Sequence, residues 1–123
     1  MIYQILEQIK HELSPIGFKS LKIGLEKGAD KAINCPLCRI VVEEEIHKGA
    51  LSDLVVQIVI GVDTKNDYEA LYKEFFGLHK EVKAALFRLP YKIELLNTIT
   101  DEDRLLTIKA GVVRVKIKDL GAN

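Results

Sequence analysis

The sequence has no excess of charge of either sign, with 18 basic residues set against 18 acidic ones. Nucleic-acid binding normally shows a basic excess, because neutralising phosphates drives affinity. The balance therefore argues against a nucleic-acid partner, a local patch aside. A chain without net charge is also poorly protected against self-association, which favours a homo-oligomer. Long apolar runs are missing too. The longest stretch, Leu54 to Val62, is interrupted by Gln57, whereas a membrane span needs about 20 apolar residues. No membrane partner is expected. Met1 to Leu13 lacks the basic start of a secretory leader, and Glu7, Lys10, His11 and Glu12 break any apolar centre for one. The cysteines are few, two in all. Without a secretory signal they point to a reducing compartment and a cytoplasmic location. Low-complexity tracts, flexible linkers and repeats of solenoid period are absent.

What remains is ordinary globular material. The 123 residues are 48% apolar and 29% charged, and such a length fits a single domain over residues 1–123. A chain of this size buries roughly two thirds of its unfolded surface, enough for a core without disulfide or metal staples.

The hydrophobic spacing gives an order of elements. Ile2, Ile5, Leu6, Ile9 and Leu13 recur at helical spacing, and Ser14-Pro15 and Gly17 end that helix. Phe18 to Glu26 alternates, with Leu21, Ile23 and Leu25 on one side, and predicts a half-buried strand. Lys27 to Asn34 predicts a loop. Leu37 to Ile46 predicts the next strand, opened by Pro36, where a missing N–H costs no ladder bond. Cys38, Ile40 and Val42 share one face of it, and Arg39, Val41 and Glu43 the other. A turn at Lys48-Gly49 leads into Asp53 to Asp63. There Val56, Ile58, Ile60 and Val62 line one face and Val55 and Val59 the other. Apolar residues on both faces predict a central strand, or a face buried by a partner, and the two strands predict a hairpin.

Thr64, Asn66 and Asp67 are candidate caps for a long helix running to about Leu89, stopped by Pro90. Its apolar stripe is Tyr68, Leu71, Tyr72, Phe75, Leu78, Val82, Leu86 and Leu89. Burying it contributes about 1.5–3 kcal/mol per large side chain before entropy is subtracted. This helix is the expected main cover of the sheet. Tyr91 to Ile99 predicts a strand, Thr100 to Arg104 a polar turn, and Leu105 to Leu120 one further strand or a pair, with Gly111 a candidate bulge. The order is α-β-β-β-α-β-β. Strands in adjacent runs favour an α+β fold, a single antiparallel-rich mixed sheet with an N-terminal helix and one long helix packed on it.

One motif has reactive vocabulary, Cys35-Pro36-Leu37-Cys38. Paired thiolates can bind zinc or run dithiol redox chemistry. A structural zinc site needs four ligands, and the other soft candidates, His11, His47 and His79, are scattered. A redox Cys-x-x-Cys sits at a helix N-terminus, whereas here a β pattern follows. The alternative is plain packing, with Cys38 a small core hydrophobe and Cys35 in the preceding loop. Cys35 and Cys38 are thus the weak metal candidates, and no cofactor is expected. Glu43-Glu44-Glu45 reads as a solvated strand face on which Glu43 and Glu45 share a side. Arg114, Lys116 and Lys118 form a basic stripe, and opposite charge on two strands motivates pairing it with Glu43 and Glu45. No nucleophile elbow surrounds Ser14, Ser20 or Ser52, and the glycines form neither a P-loop nor a dinucleotide fingerprint. Nothing here predicts an enzyme.

Three stretches carry a resemblance. Ile2 to Phe18 is a helix ending in Gly17-Phe18, Cys35 to Val42 sets a proline before a strand, and Asp53 to Leu89 is a strand, an Asp/Thr turn and a long helix. Together they resemble phage tail-terminator (tail-completion) proteins and their relatives from prophages and phage-like contractile systems. The likeness spans most of the chain and is architectural. It implies a structural protein of the virion that forms a hexameric ring, ends the tail tube and offers the head-joining surface. The implied partners are tail-tube and neck proteins, and the implied mechanism is capping by a ring closed through heterologous contacts. No contact residue is carried over. The loops Lys27 to Asn34 and Thr100 to Arg104 are candidate contact sites, because loops on rigid sheets often carry function. Two other functions stay open: a small adaptor or ligand-binding domain outside phage biology, and a zinc or redox protein using Cys35 and Cys38.

Overall fold

The structure is a computed structural model that describes residues 1–25, 34–64, 67–101 and 108–121. The first helix, α1, spans Ile2–Leu13 and buries Ile5, Leu6, Ile9 and Leu13, the face set by the three- and four-residue spacing. A short 3-10 turn over Ser14–Ile16 ends it. Strand β1 covers only Ser20–Ile23, shorter than the alternation predicts. Gly24 stops it with a φ of +81°, a conformation open to glycine, and Leu25 stands exposed, not on the core side.

Strand β2 (Leu37–Lys48) and strand β3 (Leu51–Asp63) form the expected hairpin, joined through Gly49 and Ala50. The second helix, α2, spans Tyr68–Phe87. Among its candidate caps Asp67 acts, its carboxylate accepting the Glu69 and Ala70 N–H groups; Asn66 lies outside the described residues. Strand β4 is Lys92–Thr100 and strand β5 is Ile108–Gly121. The order α-β-β-β-α-β-β therefore stands, and the fold is α+β.

The five strands make one mixed sheet in the order β1-β2-β3-β5-β4. β1 runs parallel to β2, and the other three pairings are antiparallel. β3 is central, as its two apolar faces predict. Val56, Ile58, Ile60 and Val62 are buried on one side, and Val55 on the other is 1% exposed. The two helices share a single core with alternate residues of the strands: Cys38 and Ile40 from β2, Ile58 and Ile60 from β3, Val115 and Ile117 from β5. Both helices thus lie on one face of the sheet, and α1 also packs against α2.

The α2 stripe departs from its prediction at three points. Tyr72 lies at the exposed edge of the stripe, while His79 and Ala85 are buried within it. At 100° per residue Tyr72 and His79 both fall on the same side of the Leu71–Phe75–Val82 axis, about 80° and 60° from it, and His79 is buried there against Thr98 of β4. Gly111 is no bulge. Its register with Ile60 and Thr100 is unbroken, and it serves instead as a floor for Phe75, whose ring carbon Cε2 would be 2.5 Å from any added Cβ. The bulges are at Val42/Glu44, Ser52/Leu54 and Leu95/Asn97.

Candidate interaction surfaces

The bulge in β2 decides where the three glutamates go. Val42 stands opposite Val56 and Glu44 opposite Val55, so the strand fits one extra residue between them. Parity changes at that point. Glu44 is in register with Val55, Glu45 with the core residue Leu54, and Glu43 reaches across the face that carries Gln57 and Arg114. Glu43 and Glu45 therefore do not share a side, because the alternation rule that predicted it holds only for an unbroken ladder.

Glu43 anchors a polar network over four strands. Arg114 donates from Nε (2.8 Å) and Nη2 (2.6 Å) to the two carboxylate oxygens, a bidentate pairing that matches guanidinium and carboxylate geometry. Gln57 Nε2 donates to Glu43 at 2.9 Å, and Arg114 Nη1 donates to Asn97 at 3.2 Å. The Arg114 and Gln57 hydrogen bonds hold the Glu43 carboxyl down at about 2. Of the basic stripe, then, Arg114 takes Glu43. Lys118 meets Glu94 at 3.7 Å, and Lys116 makes no ion pair among the described residues.

A second charged cluster closes the far end of the hairpin. Asp119, at a φ of +56°, accepts from Lys48 at 2.8 Å and Lys92 at 3.1 Å. Its backbone N–H donates to Asp53 at 3.0 Å, and Lys48 reaches Asp53 at 2.9 Å. The Lys48 and Lys92 contacts keep the Asp119 carboxyl at about 2. These bonds tie β5 to the hairpin beside the Ser52/Leu54 bulge.

The Cys35–Cys38 motif leads into β2 and not into a helix. Cys38 is fully buried, opposite Ile60, and burial pushes its thiol up to about 12 against a weaker pull from the Arg39 charge. Cys35 is half-buried, and the Cys35–Pro36 bond is cis. No group of three His, Cys, Asp or Glu among the described residues is placed to hold a metal ion. His11 is exposed on α1, His47 is exposed on β2, and His79 is buried on α2. The next residue, Arg39, is another that periodicity missed. It is fully buried, and its Nη1 donates to the Ser20 and Cys38 carbonyls at 3.1 and 2.9 Å, holding β1 onto β2.

Along α2, His79 Nε2 lies 2.7 Å from the Thr98 hydroxyl of β4, and Phe75 packs edge-on to Phe76 with centroids 5.1 Å apart. Phe75 is buried, while Phe76 and Phe87 are 49% and 59% exposed. Two open grooves border α1. One, of about 640 Å³, is lined by Met1, Gln8, His11, Leu89 and Tyr91; the other, of about 680 Å³, lies against the hairpin at His47 and Leu51. Tyr91 OH donates to Gln8 in the first. Of the candidate loops, residues 27–33 and 102–104 lie outside the described residues; Asn34 is half-buried and Asp101 exposed. No helix among the described residues is long and apolar enough to cross a membrane. No family model matches the chain, and neither does any curated protein.

Proposed function

We propose that this protein is a structural component of a phage tail or phage-like contractile system, which caps the tail tube as a ring of copies and offers the head-joining surface. One observation carries the reading. Among the described residues, a single α+β sheet in the order α-β-β-β-α-β-β leaves strand surface without a strand neighbour at both of its edges, on β4 and on the outer half of β2. Two different surfaces at opposite edges suit head-to-tail contact, the type that closes into rings. The inert Cys38 and the charge pairs spent on tying strands together fit a protein that works through surfaces. Native mass measurement and negative-stain imaging test the proposal. Rings that bind tail-tube protein are expected. A strict monomer at high concentration that also ignores tail-tube protein overturns it.

The groove beside α1 supports a second reading, a small ligand-binding domain. Its volume of about 640 Å³ is within the range of small-molecule sites, but it is open along one side. A metabolite retained through native purification, and lost on Tyr91→Ala, would favour that reading.

A further inference from the structure

We propose that the flank of α2 beside β4 docks a second copy of this chain, by the Val42–Glu45 segment of that copy's β2, head to tail. The inference rests on the ring reading and names the two surfaces that meet.

The first surface is a stripe. Tyr72, Phe76, Lys80, Lys83 and Phe87 follow one another at steps of four, four, three and four, so they share one flank of α2. The His79–Thr98 contact fixes that flank over β4, the edge strand. Three aromatic rings lie along it, the least exposed being Tyr72 at 36%. Neither Lys80 nor Lys83 makes an ion pair among the described residues, so the stripe is apolar and positive from Tyr72 onward, although the exposed Glu69 begins the same flank one turn earlier.

The second surface has the opposite character. Among the described residues, β1 pairs with β2 only from Leu37 to Ile40. Beyond that, Val42 is 40% exposed, and Glu45, on the same side, meets only the side chain of His47, at 3.6 Å, as an ionic neighbour among the described residues; Glu44, in register with Val55, belongs to the other side of the sheet. This edge is apolar and negative.

Direction and facing agree. β2 and β5 both run antiparallel to β3, and β4 antiparallel to β5, so β2 runs opposite to β4. A copy shifted sideways, with its helices on the same face, sets β2 antiparallel beside β4. Val42 and Glu45 stand in register with the core residues Val56 and Leu54, on the helix side, and so come to lie under the α2 flank. Both edges carry a bulge, at Val42/Glu44 and Leu95/Asn97. Bulges interrupt ladder pairing, so side chains and not a continuous ladder make the contact.

The test is charge reversal on the full chain, read by sedimentation and native mass, with circular dichroism to check folding. Lys80→Glu with Lys83→Glu makes one protein, and Glu45→Lys makes the other; Lys80 and Glu45 are exposed and Lys83 is half-buried. Each protein alone is expected to associate at least tenfold more weakly than wild type, and an equimolar mixture to regain assembly, because each flank then meets an oppositely charged edge. Phe76→Ser, at an exposed site, is expected to weaken association by a similar factor. If wild type assembles and the variants assemble equally well, or the mixture stays apart, this contact is overturned while the ring reading survives. If wild type stays monomeric at high concentration, the ring reading falls and this contact with it.

Discussion

Arg114 of β5 and Glu43 of β2 meet across the intervening strand β3, with Nε 2.8 Å from one carboxylate oxygen and Nη2 2.6 Å from the other. Adjacent strands lie roughly 5 Å apart, so the pair has to bridge about twice that. The bulge at Val42/Glu44 and the length of the arginine make this span possible.

Acid stability follows from that pair. The Glu43 carboxyl titrates near 4.5 when unfolded and at about 2 when folded. Its contribution is complete above pH 4.5 and lost as pH falls through about 2. Urea unfolding of Glu43→Gln, followed between pH 6 and pH 2, should show a shallower loss of stability in that window than wild type. Asp119 shares the window, moving from 3.8 to about 2, so Asp119→Asn should remove a further part of the slope. Both carboxylates are near the surface, and 1 M salt should shrink both effects. An unchanged slope in Glu43→Gln would show that the pair does not stabilise the fold.

The order of elements was legible because long runs of one period leave little choice. α2 and the core face of β3 followed directly from spacing. Bulges were not legible. One added residue at Glu43 reverses the parity of everything after it, and nothing in Val42-Glu43-Glu44 marks the change. Arg39 was hidden for another reason. Alternation placed it on the face away from the helices, where a charged residue reads as solvated, and only the β1 carbonyl of Ser20 explains its burial. On the α2 flank the spacing places Tyr72 in the apolar stripe and leaves Phe76 outside it, although the two lie one turn apart on the side that faces β4.

Gly111 is the position where a single methyl should cost most. An added Cβ would meet the Phe75 ring, with Cε2 at 2.5 Å, whereas at Gly61 it would meet Leu37 Cδ1 at 2.9 Å. A ring seated in a packed core yields less easily than the end of a leucine. Gly111→Ala should lose about 1–3 kcal/mol, in the range for overpacked cores, and Gly61→Ala less. Chemical denaturation of both variants checks the ranking. Adding Phe75→Leu to Gly111→Ala should recover part of the loss, a non-additive outcome expected for residues in contact.

Thiol chemistry should separate the two cysteines. With its thiol pushed up to about 12 by burial, Cys38 stays protonated at pH 8 and is shielded from reagents. Native protein is expected to leave Cys38 unmodified by a thiol-reactive disulfide, and urea should expose it. Peptide mapping after labelling in the two states reads the result. Rapid native labelling of Cys38 would contradict its burial and reopen redox chemistry at this motif.

His79 should make the fold sensitive to mild acid. Burial, and then the nearby Lys83 charge, lowers its pKa below the ordinary 6.5, while its Nε2 contacts the Thr98 hydroxyl at 2.7 Å. A base whose folded pKa is lowered binds its proton more readily when unfolded. Stability is then full above pH 6.5 and declines as pH falls below it, until the folded pKa is passed. His79→Gln keeps a polar partner for Thr98 but does not titrate, so its unfolding free energy should stay flatter than wild type from pH 7 to pH 5. The histidine ring signals of the native protein report the same property directly. One titration midpoint is expected below 6.5, and it should be absent in His79→Gln. A His79 midpoint at or above 6.5 would mean that the ring is hydrated under α2 and that the wild-type slope has another origin.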